Sequence, residues 1–250
     1  IKELAAQFPS YINSLGLKKT DGTLLNADNY LDYIKQIIIR SAQDAKDAGA
    51  DIPDSIGFTF SSEAAFQAPI NGGVGMARPA GMGGGMPPMM MGGRKRVGEY
   101  ITDLDMNKYF NYVVSTQALK GVPSFDSYNV DGAAASGENG EFGNEQGYDV
   151  NFTAWAAAKT GSTLSDEIKE NVRLLNPMYF IGDTATSVAP HWYIRHGARD
   201  RDTAFPIAIN LATKLQNAGK DVNFKFPWNR PHSGDYALNE LFSWIAKIVK

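Results

Sequence analysis

The order of elements in the last third of the chain constrains its fold more than any other feature. From Asn176-Pro177 onward, apolar runs and chain breakers alternate as strand, turn, helix, strand, turn and helix. Either Met178 to Ile181 or His191 to His196, in the run HWYIRHG, forms the first strand, with Gly197 closing the second alternative. A helix over about Ala204 to Ala218 turns Ile207, Leu211 and Leu215 inward and stops at Gly219. Val222 to Phe226 alternates apolar and polar at period two, which predicts a strand with one buried face. The last helix, from about Asp235, sets Leu238, Leu241, Phe242, Ile245 and Ile248 on one stripe. This β-α-β-α order is the closing portion of a mostly parallel sheet, so the fold class is α/β.

The preceding part reads differently. Apolar residues at helical spacing predict one helix through Leu4, Phe8, Ile12 and Leu15, and a second through Tyr30, Ile34, Ile37, Ile38 and Ala42. Gly16 and Gly49 stand where left-handed residues would close them, and Asn26 or Asp28 is placed to cap the second. Between Asn71 and Gly93 the chain holds nine Gly, three Pro and six of its eight Met. Such a segment offers no periodic apolar face and loses much backbone entropy on ordering, so it reads as a surface loop or linker. Thioether capture of Cu(I) is the alternative, since soft sulfur ligands suit that ion. A third helix is predicted over Asp103 to Val114, then an irregular stretch to about Val150, then a helix from Ser165-Asp166 carrying Ile168, Val172 and Leu175.

The 250 residues are enough for one large domain or two small ones, and at 43% hydrophobic they can bury a core. A net charge of −3, with no basic block longer than Arg94-Lys95-Arg96, argues against nucleic acid as a partner. The absence of Cys excludes disulfides, thiolate chemistry and sulfur-ligated metal sites. No apolar run approaches the roughly 18 residues of a membrane span.

In open α/β sheets, reactive groups stand on loops at the carboxyl ends of strands. Two such loops occur here, Ala198-Arg199-Asp200-Arg201-Asp202-Thr203 and Pro227-Trp228-Asn229-Arg230-Pro231-His232-Ser233-Gly234-Asp235. They supply an acid and an imidazole in the order strand, Asp, helix, strand, His, helix. A Ser-His-Asp hydrolase of the α/β-hydrolase type runs Ser, then acid, then His, so Asp200 and His232 fit the second and third places. On spacing alone Asp200 or Asp202 also suits a helix cap or a pair with Arg199 or Arg201, and His232 suits an ordinary turn. His191 and His196 read as structural, either one able to border the site.

The run from His191 to Ile245 resembles the C-terminal part of bacterial tannases and related feruloyl-esterase-like α/β hydrolases. The likeness is carried by an Arg-x-Gly, the Asp200-Arg201-Asp202-Thr203 box and a closing WxxxHxGDYxLxELFxW block, from Trp228 to Trp244. It implies Asp200 as triad acid, His232 as triad base and Asp202 as a contact to phenolic hydroxyls. It also implies ring-binding roles for Lys120, just upstream of Pro123-Ser124-Phe125-Asp126, and for Glu138, in the stretch Glu138-Asn139-Gly140-Glu141-Phe142-Gly143. Residues 1–172 would then be a mainly helical lid containing the loop at 71–93, and residues 173–250 the C-terminal part of the hydrolase core.

Such an enzyme needs a GxSxG nucleophile elbow between a strand and a helix, and no serine of this chain sits in one. The chain also opens at Ile1 without an initiator Met or a signal-like segment. The expectation is therefore that the serine and the first strands lie on an N-terminal fragment of the same gene product, which completes the fold. The implied reaction is hydrolysis of a phenolic, galloyl-like ester through an acyl-enzyme, with no metal or organic cofactor. A hydroxycinnamoyl or short-acyl esterase, and a catalytically silent polyphenol- or carbohydrate-binding module, are the alternatives.

Overall fold

The computed structural model describes residues 2–61, 100–115, 126–127, 136–143, 149–232 and 234–249. Lys120 and the Gly/Met-rich segment, with the Cu(I) reading attached to it, lie outside them. Helices α1 (Lys2–Ser14) and α2 (Tyr30–Asp47) form where the apolar spacing places them. Gly16 and Gly49 follow them with φ of +60° and +100°, a region that disfavours side chains. The cap position of α2 is Asn29, while the Asn26 side chain accepts from the amides of Asp28 and Asn29 and turns the chain into the helix.

The stretch after residue 100 corrects the predicted third helix. Strand β1 (Phe58–Ser61) pairs antiparallel with β2 (Tyr100–Leu104), and α3 (Met106–Val114) starts only beyond Asp105. The Asp105 carboxylate accepts from the amides of Asn107 at 3.0 Å and Lys108 at 3.2 Å, which fixes the helix start. Ile101 and Leu104 are three apart, as on a helix, but both are buried from the β2 ladder, and the pairing with β1 decides their conformation.

Three short helices follow: α4 (Gly137–Glu141), α5 (Ala154–Thr160) and α6 (Asp166–Leu175). The fully buried Asp126 organises the first two. Its Oδ1 accepts from the Asn139 and Asn151 side-chain amides at 2.8 and 2.7 Å. Its Oδ2 accepts from the Phe152 and Thr153 amides and the Thr153 hydroxyl at 3.0, 2.8 and 2.7 Å. A buried carboxylate is tolerated only with such a complete shell of donors.

The last third has the predicted order, with β3 (His191–Arg195), α7 (Phe205–Asn217), β4 (Asp221–Lys225) and α8 (Leu238–Ile248). Of the two alternatives for the first strand, the His191 run forms it; Pro177–Tyr179 is a single 3-10 turn. β3 and β4 are parallel and in step, from His191 opposite Asp221 to Arg195 opposite Lys225. The inward face of α7 is Phe205, Ala208, Ile209, Ala212 and Leu215, whereas Ile207, expected inward, is exposed on the other side.

Helix α2 lies along α7. Tyr30 donates to Asn210 Oδ1 at 2.6 Å, and the Tyr33 hydroxyl stands 3.3 Å from that of Thr213, so two residues three apart on one helix meet two three apart on the other. One apolar cluster runs from Ile12, Ile38 and Ile39 through Ile101 and Tyr109 to Ile209 and Phe226. Each fully buried side chain of that size contributes about 1.5–3 kcal/mol. Burial pushes the phenols of Tyr30 and Tyr109 far up in pKa, so both stay neutral hydrogen-bond donors. The stripe of α8 is different: Leu238, Phe242 and Ile245 are exposed, Phe242 at 62%. Among the described residues no helix is long and apolar enough to cross a membrane.

Candidate active site

The two loops leaving β3 and β4 are zipped together beyond the strand ends. The amide of His196 donates to the Lys225 carbonyl at 3.3 Å, that of Ala198 to Pro227 at 3.0 Å and that of Arg199 to Arg230 at 2.9 Å. Gly197 sits under this zip, where a β-carbon would come within 2.3 Å of the Arg230 carbonyl oxygen and 2.5 Å of that of Pro231. The loop carrying Asp200 and the loop carrying His232 are thereby held side by side.

Asp200 is buried, its side chain 6% exposed, and uses its two oxygens for different tasks. Oδ1 accepts from the amides of Asp202 at 2.8 Å and Thr203 at 2.9 Å, a turn internal to the loop. Asp200 therefore does not cap α7, whose cap position is Ala204. Oδ2 faces Nδ1 of His232 at 3.1 Å. The His232 ring is half exposed, and among the described residues no hydrogen bond reaches its Nε2. An acid on Nδ1 with the opposite nitrogen left accessible is the arrangement a general base requires, because the acid fixes the tautomer and stabilises the imidazolium.

Two further residues join the pair. The Thr203 hydroxyl is 3.3 Å from His232 Nδ1. The buried His196 turns Nδ1 to the Gly197 carbonyl at 3.0 Å and Nε2 to the Thr203 carbonyl at 3.1 Å, and so spans the acid loop from end to end. Its ring stacks on Phe226 at 4.9 Å, and Phe205 meets it edge-on at 5.4 Å. Desolvation lowers the His196 pKa, with the nearby Asp200 carboxylate, 3.7 Å away, and the two carbonyls pulling the other way. No spacing signal marks either role, although Thr203 closes the Asp200 box and His196 borders it. His191 lies away at the start of β3, paired with Asp221 at 2.8 Å.

Asp202 is adjacent. One oxygen each of Asp200 and Asp202 and a ring nitrogen of His232 all lie within 4.8 Å of one another, and Asp202 pairs with the Arg201 guanidinium. Two carboxylates and an imidazole form a donor set of a kind that holds divalent cations. Here the Asp200 oxygens are committed to loop amides and to His232, and one Asp202 oxygen to Arg201. Glu138 sits on α4, and among the described residues no hydrogen bond or ion pair joins it to Asp200, Asp202 or His232. Among the described residues no serine hydroxyl hydrogen-bonds His232.

The chain as a whole is similar to solved structures. The tannase from Lactobacillus plantarum is 34% identical with a TM-score of 0.75, over 99% of this chain and 45% of that one. The tannase from Fusobacterium nucleatum is 30% identical with a TM-score of 0.73, over 100% of this chain and 45% of that one. This chain is related to the bacterial tannases. A tannin acyl hydrolase solved in complex with ethyl gallate is likewise 34% identical, with a TM-score of 0.74 over 99% of this chain and 46% of that one. The chain spans a little under half the length of the tannases it matches. No protein-family model matches it, nor does any curated protein.

Proposed function

We propose that the protein contributes the acid, the base and the phenol-facing side of a serine-type ester hydrolase acting on phenolic, galloyl-like esters. The observation that carries this reading is the 3.1 Å contact between buried Asp200 and His232, with Nε2 turned away from it. The likeness to tannases, one of them solved with ethyl gallate, supports the substrate class. In this reading residues 173–250 close an α/β-hydrolase core, and residues 1–172 form its lid.

The serine belongs to an N-terminal segment of the same gene product. The chain has no GxSxG, its parallel sheet has two strands among the described residues, and the α8 stripe exposes apolar surface that another segment would cover. His232 takes the serine proton at Nε2 as the hydroxyl attacks the ester carbonyl, then returns it to the departing alcohol. Water, deprotonated by the same nitrogen, releases the phenolic acid, while Asp200 orients the ring throughout. Asp202, with Lys120 and Glu138, hydrogen-bonds the ring hydroxyls, which discriminates strongly against analogues lacking them.

Fluorophosphonate labelling followed by intact-mass analysis tests the division of labour. The label, located by peptide mapping, is expected on a serine outside these 250 residues, and a label within them overturns it. A panel of galloyl, hydroxycinnamoyl and short-acyl esters tests the substrate class. Asp202→Ala is expected to weaken galloyl esters more than simple aryl esters, and equal losses would sink its hydroxyl-binding role.

A further inference from the structure

Helix α3 lies outside the strand, loop and helix unit that carries the acid and base, yet it grips both catalytic loops. Tyr109, fully buried, donates its hydroxyl to the carbonyl of Ala198, two residues before Asp200. Tyr112, three residues on and on the same side of the helix, donates to Oδ1 of Asn229, three residues before His232. The base loop is fastened at a demanding point, because Asn229 holds φ at +54°, a left-handed conformation that Asn tolerates better than most residues. The ring of its neighbour Trp228 lies 6.4 Å from Tyr109, and the Arg199 guanidinium stands 5.9 Å from the Tyr112 ring. Every one of these contacts joins α3 to one loop or the other.

We propose that Tyr109 and Tyr112 are positioning residues, through which α3 sets the separation of Asp200 and His232. The inference rests on reading those two residues as an acid–base pair. The zip between the loops fixes them near the strand ends, but its last bond is at Arg230, and His232 lies beyond it. Tyr112 reinforces the base loop just inside that last bond, at the Asn229 side chain, and so holds the left-handed turn from which the chain runs on to His232. Displacing a reacting group by about 1 Å can cost on the order of 10²-fold in rate, so a tether of this kind has leverage far beyond one hydrogen bond. It also makes a helix from the first half of the chain part of the catalytic frame.

Tyr112→Phe is the discriminating variant, since Tyr109→Phe strips a buried carbonyl of its donor and destabilises the fold as well. Asn229→Ala removes the acceptor, and Asn229→Asp keeps it together with tolerance of the left-handed conformation. The first readout needs no turnover: the tautomer of His232 in long-range proton–nitrogen spectra, recorded where the spectra themselves show the ring to be neutral. The wild type and Asn229→Asp are expected to hold the Nδ1–H form, and Tyr112→Phe and Asn229→Ala to drift toward the Nε2–H form that free imidazoles favour. In the nucleophile-bearing enzyme, the same two variants are expected to lower kcat by roughly tenfold with KM within about twofold, and their double variant to lose no more than either alone. An unchanged tautomer in Tyr112→Phe, an Nε2–H form already in the wild type, or additive losses in the double variant overturns the tether. If the tautomers respond as expected but the wild type turns over no phenolic ester, the esterase reading fails and the tether stands.

Discussion

Gly197 lies so close beneath the Arg230 carbonyl that a β-carbon there would come within 2.3 Å of its oxygen. The loops bearing Asp200 and His232 approach this closely only because residue 197 has no side chain. The atoms in the way are backbone, so a larger residue must spread the loops. Gly197→Ala is expected to lower stability by about 1–3 kcal/mol and turnover on the order of 10²-fold, through a lengthened Asp200–His232 contact. Thermal melts beside kcat measurements check this, and an alanine variant with wild-type kcat would contradict it.

Asp200→Asn separates the two tasks of the carboxylate. An asparagine can still accept from the Asp202 and Thr203 amides through its remaining oxygen, so the loop keeps its turn. Facing His232 it offers an amide N–H where an acceptor is needed, and the ring takes the wrong tautomer. In serine hydrolases this change costs about 10⁴-fold in kcat with the fold intact. A loss of only a few-fold, with an unchanged melting temperature, would remove Asp200 from the acid role.

His196 makes stability depend on pH in a defined direction. Burial lowers its folded pKa below the ordinary value of 6.5, so between the two values the unfolded chain binds more protons. Its contribution is complete above 6.5 and is lost as the pH falls toward the lowered folded value. His196→Gln removes this titration, so the melting-temperature gap between wild type and variant is expected to narrow as the pH drops below 6.5. Calorimetry at neutral and mildly acidic pH decides it; a constant gap would mean that His196 does not titrate differently on folding.

Asp126→Asn aims at the part of the chain around α4 and α5. Five donors converge on the two carboxylate oxygens, and an amide nitrogen at one of those positions would face donors with a donor. The expected cost is about 3 kcal/mol. Hydrogen exchange should show the loosening concentrated at residues 136–160. A variant with unchanged protection there would show that the five bonds contribute little to local order.

Much of the last third was legible because it is written locally. Breakers, a period-two strand and a 3.6-period helix each occupy one short window, and the loops carrying Asp200 and His232 follow the strands directly. The β1–β2 ladder was not legible, since its two strands lie about forty residues apart, the alternation of Phe58–Ser61 is only four residues long and Tyr100–Leu104 does not alternate. The helix expected over Asp103 to Val114 forms from Met106; its predicted start was three residues early because only the distant β1 partner shows that Tyr100–Leu104 is a strand. Ile207 was misassigned because α7 is apolar on more than one side, and only packing against α2 and the sheet selects the buried one. Tyr109, Tyr112 and His196 carry no motif for positioning; their partners are backbone carbonyls and a loop asparagine far along the chain or across a turn.

The in-step pairing of β3 and β4 has an evolutionary consequence. Residue 195 stands opposite 225, so the loops bearing Asp200 and His232 leave the sheet at the same height. Insertions or deletions within α7 and its connections change the length of the path between the strands without altering that level. A single inserted residue inside either strand shifts one loop by about 3.3 Å relative to the other and turns its alternate side chains to the opposite face. Length variation among descendants of this chain is therefore expected to collect in the helical crossover and to spare the two five-residue strands.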